Sequence, residues 1–140
     1  MEDSLYRVSV KALVQDAKGN MLVIQTTVRD GWELPGGGMD HGEEPHEALE
    51  RELLEELGVE AITVSNEPVL VLTDKTVHGS RAGQWRLWLC YNVEVDTDRI
   101  ILGDGVDAQT WDFVKLAELS QKQIDPTEYK LLAKLGDLGF

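Results

Sequence analysis

The sequence predicts an α/β protein in which a mixed β-sheet carries helices on both faces. Two observations lead there. The chain reads as strands, helix, strands, helix, and the first helix carries both a start and a stop signal. With 140 residues, 42% of them hydrophobic, the chain suits a single domain spanning 1–140 with a substantial core. No repeat, low-complexity tract or linker interrupts it.

Leu5 to Gln15 alternates and ends in Asp16-Ala17-Lys18-Gly19-Asn20, a hairpin turn signal, with Met21 to Val28 as the return strand. Glu33 to Gly36 reads as a short strand entering a glycine-rich loop, Pro35-Gly36-Gly37-Gly38. A helix follows over 45–57, because Pro45 suits a first turn, Gly58 suits the position past a last turn, and Leu49, Leu53 and Leu57 form one stripe. Ile62 to Thr73 reads as a strand bent near Asn66-Glu67-Pro68, and 74–83 as a loop. Gln84 to Val95 is the clearest strand, with Trp85, Leu87, Leu89 and Tyr91 on one face and Arg86, Trp88 and Cys90 on the other. After a polar connection, Ala108 to Val114 is a last strand; Leu116 to Gln121 and Pro126 to Leu135 read as helical. Trp85 and Trp111 are expected in the core.

The first helix concentrates the chemistry. Glu52, Glu55 and Glu56 fall within an arc of about 100° on its surface, beside the leucine stripe. Three like charges repel, and a bound divalent cation would reverse the sign of that interaction. Small Ala48, one turn earlier, leaves room for an ion or ligand. Acidic helix faces are usually just solvated, and Glu43, Glu44, Glu47, Glu50 and Glu60 fit that plain reading. The glycines ahead of the helix are not explained by it, since they let main chain approach a ligand closely. Carboxylates and loop carbonyls are hard oxygen ligands suited to Mg²⁺ or Mn²⁺. Such ions act on phosphates by neutralising charge, polarising the phosphorus–oxygen bond and activating water. There is no Gly-Lys-Ser/Thr phosphate loop and no Ser-His-Asp arrangement, so metal-assisted hydrolysis of a phosphoanhydride is the reaction class favoured.

The pattern Gly37-x5-Glu43-x7-Arg51-Glu52-Leu53-x-Glu55-Glu56-x-Gly58-Val59 fills every fixed position of the Nudix box, and Trp32-Glu33-Leu34-Pro35-Gly36 resembles its usual lead-in. The chain therefore resembles the Nudix hydrolases. The resemblance implies their α/β/α sandwich with a mixed sheet. It implies Glu52, Glu55, Glu56 and the Gly36 carbonyl as metal ligands, with Glu52 and Glu56 in catalytic roles. Arg51 is expected to orient the cluster by pairing with Glu43. The general base varies in the family, being either the residue matching Glu52 or a later carboxylate, so Asp104 and Asp107 are further candidates. In the implied reaction water attacks one phosphorus of a pyrophosphate linkage, releasing a nucleoside monophosphate and X-phosphate or pyrophosphate.

A net charge of −13 argues against a nucleic acid duplex as partner and makes metal ions the natural counter-charge for an anionic nucleotide. Arg29, Lys75, Arg81 and Arg86 are the candidate phosphate contacts, and Trp32, beside the glycine loop, is a candidate to line the site. Tyr6, Trp85 and Trp88 are aromatics able to stack a base. No proline stands at Thr73-Asp74-Lys75, where members that prefer ADP-ribose carry one. The expected substrate is a small nucleoside diphosphate linked to another moiety. The alternatives are a nucleotide-binding sensor without turnover, which should have lost a box glutamate, and a pyrophosphohydrolase that removes damaged (d)NTPs. His41, His46 and His78 lack ligand spacing and suit exposed positions. Cys90 is read as core, and a lone cysteine fits a reducing cytoplasm. No apolar run suggests a membrane span or a signal peptide, and a homodimer is left open.

Overall fold

The computed structural model describes residues 3–26, 31–77, 79–102 and 108–140. Among them the strands are β1 (Arg7–Leu13), β2 (Met21–Gln25), β3 (Gly36–Gly38), β4 (Thr63–Val64), β5 (Leu70–Lys75), β6 (Trp85–Glu94) and β7 (Thr110–Val114), with helices α1 (Pro45–Leu57) and α2 (Tyr129–Asp137).

The main sheet is mixed. β1 pairs in parallel with β6, from Arg7 opposite Arg86 to Leu13 opposite Asn92, and antiparallel with β3 on its other side. Along the far edge of β6 run β5 and β4, both antiparallel and separated by the expected bend. β2 and β7 form a second, two-stranded antiparallel sheet. Successive side chains of a strand point to opposite faces. Val10 and Ala12 of β1 and Tyr91 and Val93 of β6 therefore pack under Leu49, Leu53 and Leu57 of α1. Leu13, Trp88 and Cys90 face the other way and pack under Leu131, Leu132 and Leu135 of α2. Helices thus cover both faces of a mixed sheet, the α/β/α arrangement expected. Emptying one of these fully buried positions, as in Leu53→Ala, costs about 2–5 kcal/mol.

α1 has the bounds its signals predict. Pro45 opens it, the Glu47 carboxylate accepts the Glu44 amide at 3.0 Å, and Gly58 closes it at φ 65° with its N–H on Leu54 O. A Cβ at Gly58 would lie 2.7 Å from the Ile101 carbonyl, so that position requires glycine on two counts.

Several expectations are corrected. Gly36–Gly38 is not a loop but strand β3, paired to Ser9–Lys11. The hairpin survives only at its neck, where Leu22 N bonds Val14 O; β2 then leaves β1 to pair with β7. Trp85 is not core but 44% exposed, because α1 covers only the far half of that sheet face, while Trp111 is half-buried against Phe113. Ala48 is fully buried against the core and leaves no ligand space. His46 is partly buried, its Nε2 3.0 Å from Ser65 O and its ring edge-on to Tyr91. Before α2 the chain makes two 3₁₀ turns, Leu116–Glu118 and Gln121–Gln123, and α2 itself starts only at Tyr129. His78 lies outside the described residues.

Candidate active site

β3 lies between β1 and α1, and its lack of side chains lets the helix approach it. Gly36, at φ 130°, faces Lys11 across the strand pair, and a Cβ there would run into the Val10 carbonyl. A Cβ on Gly37 would lie 2.7 Å from Glu52 Oε1. One on Gly38 would meet the Arg7 guanidinium, which donates to Met39 O at 2.7 Å. Glutamates of α1 therefore rest directly on backbone.

Glu56 is the innermost of the three. Its side chain is buried, and its Oε1 accepts the Gly36 amide at 2.7 Å. Burial holds its carboxyl well above the usual range, with the Lys11 charge opposing. Glu52 packs on Gly37 and is mostly buried; burial raises its carboxyl too, against the pull of Arg51. Glu55 is half exposed. Arg51 organises the outer side. Its Nε and Nη2 bind Glu43 at 2.8 and 2.9 Å, its Nη2 also donates to Gly38 O at 3.1 Å, and its Nη1 lies 3.0 Å from Glu52 and 3.4 Å from Glu55. The Arg51 guanidinium holds the Glu43 carboxyl at about 2. Arg51 is itself raised, first by the Glu43 hydrogen bond.

Beneath β3 lies a buried lysine. Lys11 Nζ is 2.7 Å from Glu128 Oε2, donates to Leu34 O at 2.9 Å and reaches Gly36 O at 3.5 Å. Burial pushes its ammonium down, and Glu128, Glu33 and Glu56 more than offset that, leaving it raised.

The carboxylates gathered here suit a hard divalent cation, since Glu52, Glu56 and, at the rim, Glu55 all offer oxygen, while at Gly36 the amide meets Glu56 and the carbonyl faces Lys11. Burial of Glu52 and Glu56 disfavours their charge, and a cation would relieve that. Among the described residues no three acidic side chains converge on one point, and Arg51 Nη1 contacts both Glu52 and Glu55.

The expected substrate contacts are dispersed. Arg86 is buried, not a surface cation; it donates to Ser9 Oγ at 2.9 Å and Thr76 Oγ1 at 3.2 Å and lies over the Trp88 ring. Arg81 is exposed on the turn before β6, bonded to Gln84, and Lys75 lies over exposed Trp85. Trp32 is half-buried, its backbone tied to Gln123 and Asp125. Arg29, Asp104 and Asp107 lie outside the described residues. Sequence reasoning missed Arg7, Lys11 and Glu128. A lysine at an inward position of an apolar strand was the available signal, since a buried charge demands a partner.

Comparison with known proteins gives the family. The family model described as NUDIX domain matches residues 5–135. The chain belongs to the NUDIX family and is a Nudix pyrophosphohydrolase, an enzyme acting on acid anhydrides. It is 31% identical to an RNA pyrophosphohydrolase of Brucella anthropi over 86% of this chain and 70% of that protein. It is 29% identical to the RNA pyrophosphohydrolase of Rhizobium meliloti, covering 84% of each. A MutT protein from Methanosarcina mazei Go1 superposes with a TM-score of 0.74 at 17% identity, over 99% of this chain and 98% of that one, a likeness of fold. No described helix is long and apolar enough to cross a membrane.

Proposed function

We propose that the protein hydrolyses the pyrophosphate bond of a small nucleoside diphosphate linked to another moiety, using Mg²⁺ or Mn²⁺. The observation that carries this reading is the seating of Glu52 and Glu56 on the backbone of Gly37 and Gly36, beside a complete box. Glu52, Glu55, Glu56 and the Gly36 carbonyl would hold the cation, which when bound supplies charge neutralisation and an activated water. Glu52, set in a mostly buried position, is the proposed acceptor of the water proton, with Asp104 and Asp107 as the other candidates. Arg51 holds Glu52 and Glu55 in register through Glu43. Arg7, next to Gly38, is the cation proposed to meet a phosphate oxygen. Attack on one phosphorus forms a new phosphorus–oxygen bond and breaks the bridging one, and the leaving phosphate departs with the bridging oxygen. The whole chain serves as a single domain, and the lone buried Cys90 supports a cytoplasmic location.

A second reading, removal of pyrophosphate from RNA, follows from the names of the Brucella and Rhizobium relatives. The charge of −13 favours the small substrate, because an acidic protein repels an extended phosphate backbone. The deciding experiment offers nucleotide sugars, dinucleotides, ADP-ribose, (d)NTPs and a 5′-triphosphorylated oligoribonucleotide with Mg²⁺, and measures phosphate-bearing products. Turnover of at least one small substrate is expected, with E56Q slower by about 100-fold or more. Tight binding without hydrolysis of any of them would instead make this a sensor. Full turnover by E56Q would defeat the site assignment.

A further inference from the structure

We propose that Lys11 and Glu128 are positioning residues for the hydrolysis: their buried ion pair grips the N–H and C=O of Leu34 and so fixes the Leu34–Gly36 segment against the α1 carboxylates. The proposal rests on the site assignment above.

The need for such a device comes from how this segment is paired. Glu33 exchanges both backbone hydrogen bonds with Ile24 of β2, whereas Pro35 O accepts from Ala12 of β1 and Gly36 opens β3. Between these anchors the chain passes from one sheet to the other at Leu34, which is fully buried and cut off from water. Its two polar backbone groups would be left unpaired there, a costly condition in a protein interior. Glu128 Oε1 accepts the Leu34 amide at 2.9 Å, and Lys11 Nζ donates to the Leu34 carbonyl at 2.9 Å. The same carboxylate and ammonium meet at 2.7 Å, with side chains 0% and 3% exposed.

One residue further on, Gly36 N is held by Glu56 and Gly36 O faces Lys11 at 3.5 Å. A continuous set of contacts therefore runs from the residue preceding α2, through Leu34, to the carboxylates of α1. Asp125 N, bonded to Trp32 O at 3.0 Å, adds a second tie between the same two segments. For core packing alone an apolar pair would serve as well, since buried ion pairs are often replaceable by apolar residues without loss of stability. Two donors and acceptors aimed at one residue's backbone are what an apolar pair cannot supply.

The test is the double variant K11M/E128Q, which removes both buried charges together and keeps an acceptor for the Leu34 amide. Melting temperature, kcat, KM and Mn²⁺ affinity by electron paramagnetic resonance are measured. The expected result is a folded protein whose kcat falls about tenfold or more, with KM little changed and Mn²⁺ bound several-fold more weakly, the scale seen for groups that orient metal ligands. K11R, which keeps charge and donors, should retain most of the native kcat. A folded K11M/E128Q with native kcat and Mn²⁺ affinity overturns the proposal, as does a loss confined to KM. Should the double variant not fold, E128Q alone is read by the same criteria. Native protein that binds no Mn²⁺ defeats the site assignment and this proposal with it, whereas native binding unaltered in the variant defeats this proposal only.

Discussion

The Glu56 carboxylate accepts the Gly36 amide at 2.7 Å, and through that contact helix α1 is tied to strand β3 by a side chain almost sealed from solvent. Because the strand has no side chains, this bond and the packing of Glu52 on Gly37 set the separation of helix and strand. The two contacts make that separation sensitive to very small additions of volume.

Gly37→Ala should expose this sensitivity. The new Cβ would lie 2.7 Å from Glu52 Oε1 and 2.8 Å from its carboxyl carbon, so the carboxylate must move. Gly37 does not adopt a positive φ, so the backbone itself tolerates alanine. We expect a folded protein with a near-native melting temperature and a kcat reduced by about 100-fold, the scale of a misplacement near 1 Å. Native activity in G37A would show that Glu52 does not need its place on Gly37.

Glu43 and Arg51 predict a response to acid. In the folded protein Arg51 lowers the Glu43 carboxyl from 4.5 to about 2. The folded state therefore binds that proton less readily than the unfolded state. Its contribution to stability is complete above 4.5 and is lost as the pH falls towards 2. Thermal melting between pH 6 and 2.5 should show a smaller acid-induced drop for E43Q than for the native chain, with E43Q less stable at pH 6. Parallel curves for the two proteins would remove Glu43 from the account.

Burial pushes the Cys90 thiol up to about 12, and the side chain is fully buried on β6. Thiolate is the reactive form, so a thiol reagent at pH 8 should leave the folded protein untouched for hours and modify it fully in denaturant. Rapid labelling of the native protein would contradict the placement of β6.

Local signals made α1 readable: Pro45, Gly58 and the leucine repeat each act within a turn of the helix. The box glutamates came with it, since spacing on a helix fixes their angular positions. β3 was hidden for the opposite reason, because three glycines carry no side-chain alternation and its pairing to Ser9–Lys11 depends on residues far away in sequence. The same holds for β2, whose partner is β7. Alternation along β6 gives its two faces correctly but cannot say how far α1 extends over one of them, so the expectation of a core Trp85 fails. Lys11 was visible as an anomaly in an apolar strand, yet nothing local could point to Glu128 at the other end of the chain.

The parallel pairing of β1 with β6 has a consequence for how the protein comes into being. Parallel neighbours cannot be joined by a tight turn, and the box is part of the long excursion that leaves β1 and returns along β6. A nascent chain halted before Trp85 already contains the three glutamates, the glycine strand and Arg51, but β1 is still missing the strand on which its other edge rests. Such non-local pairings form late and slowly. The glycine strand that seats the carboxylates thus rests on a strand whose other edge is filled only by residues far along the chain.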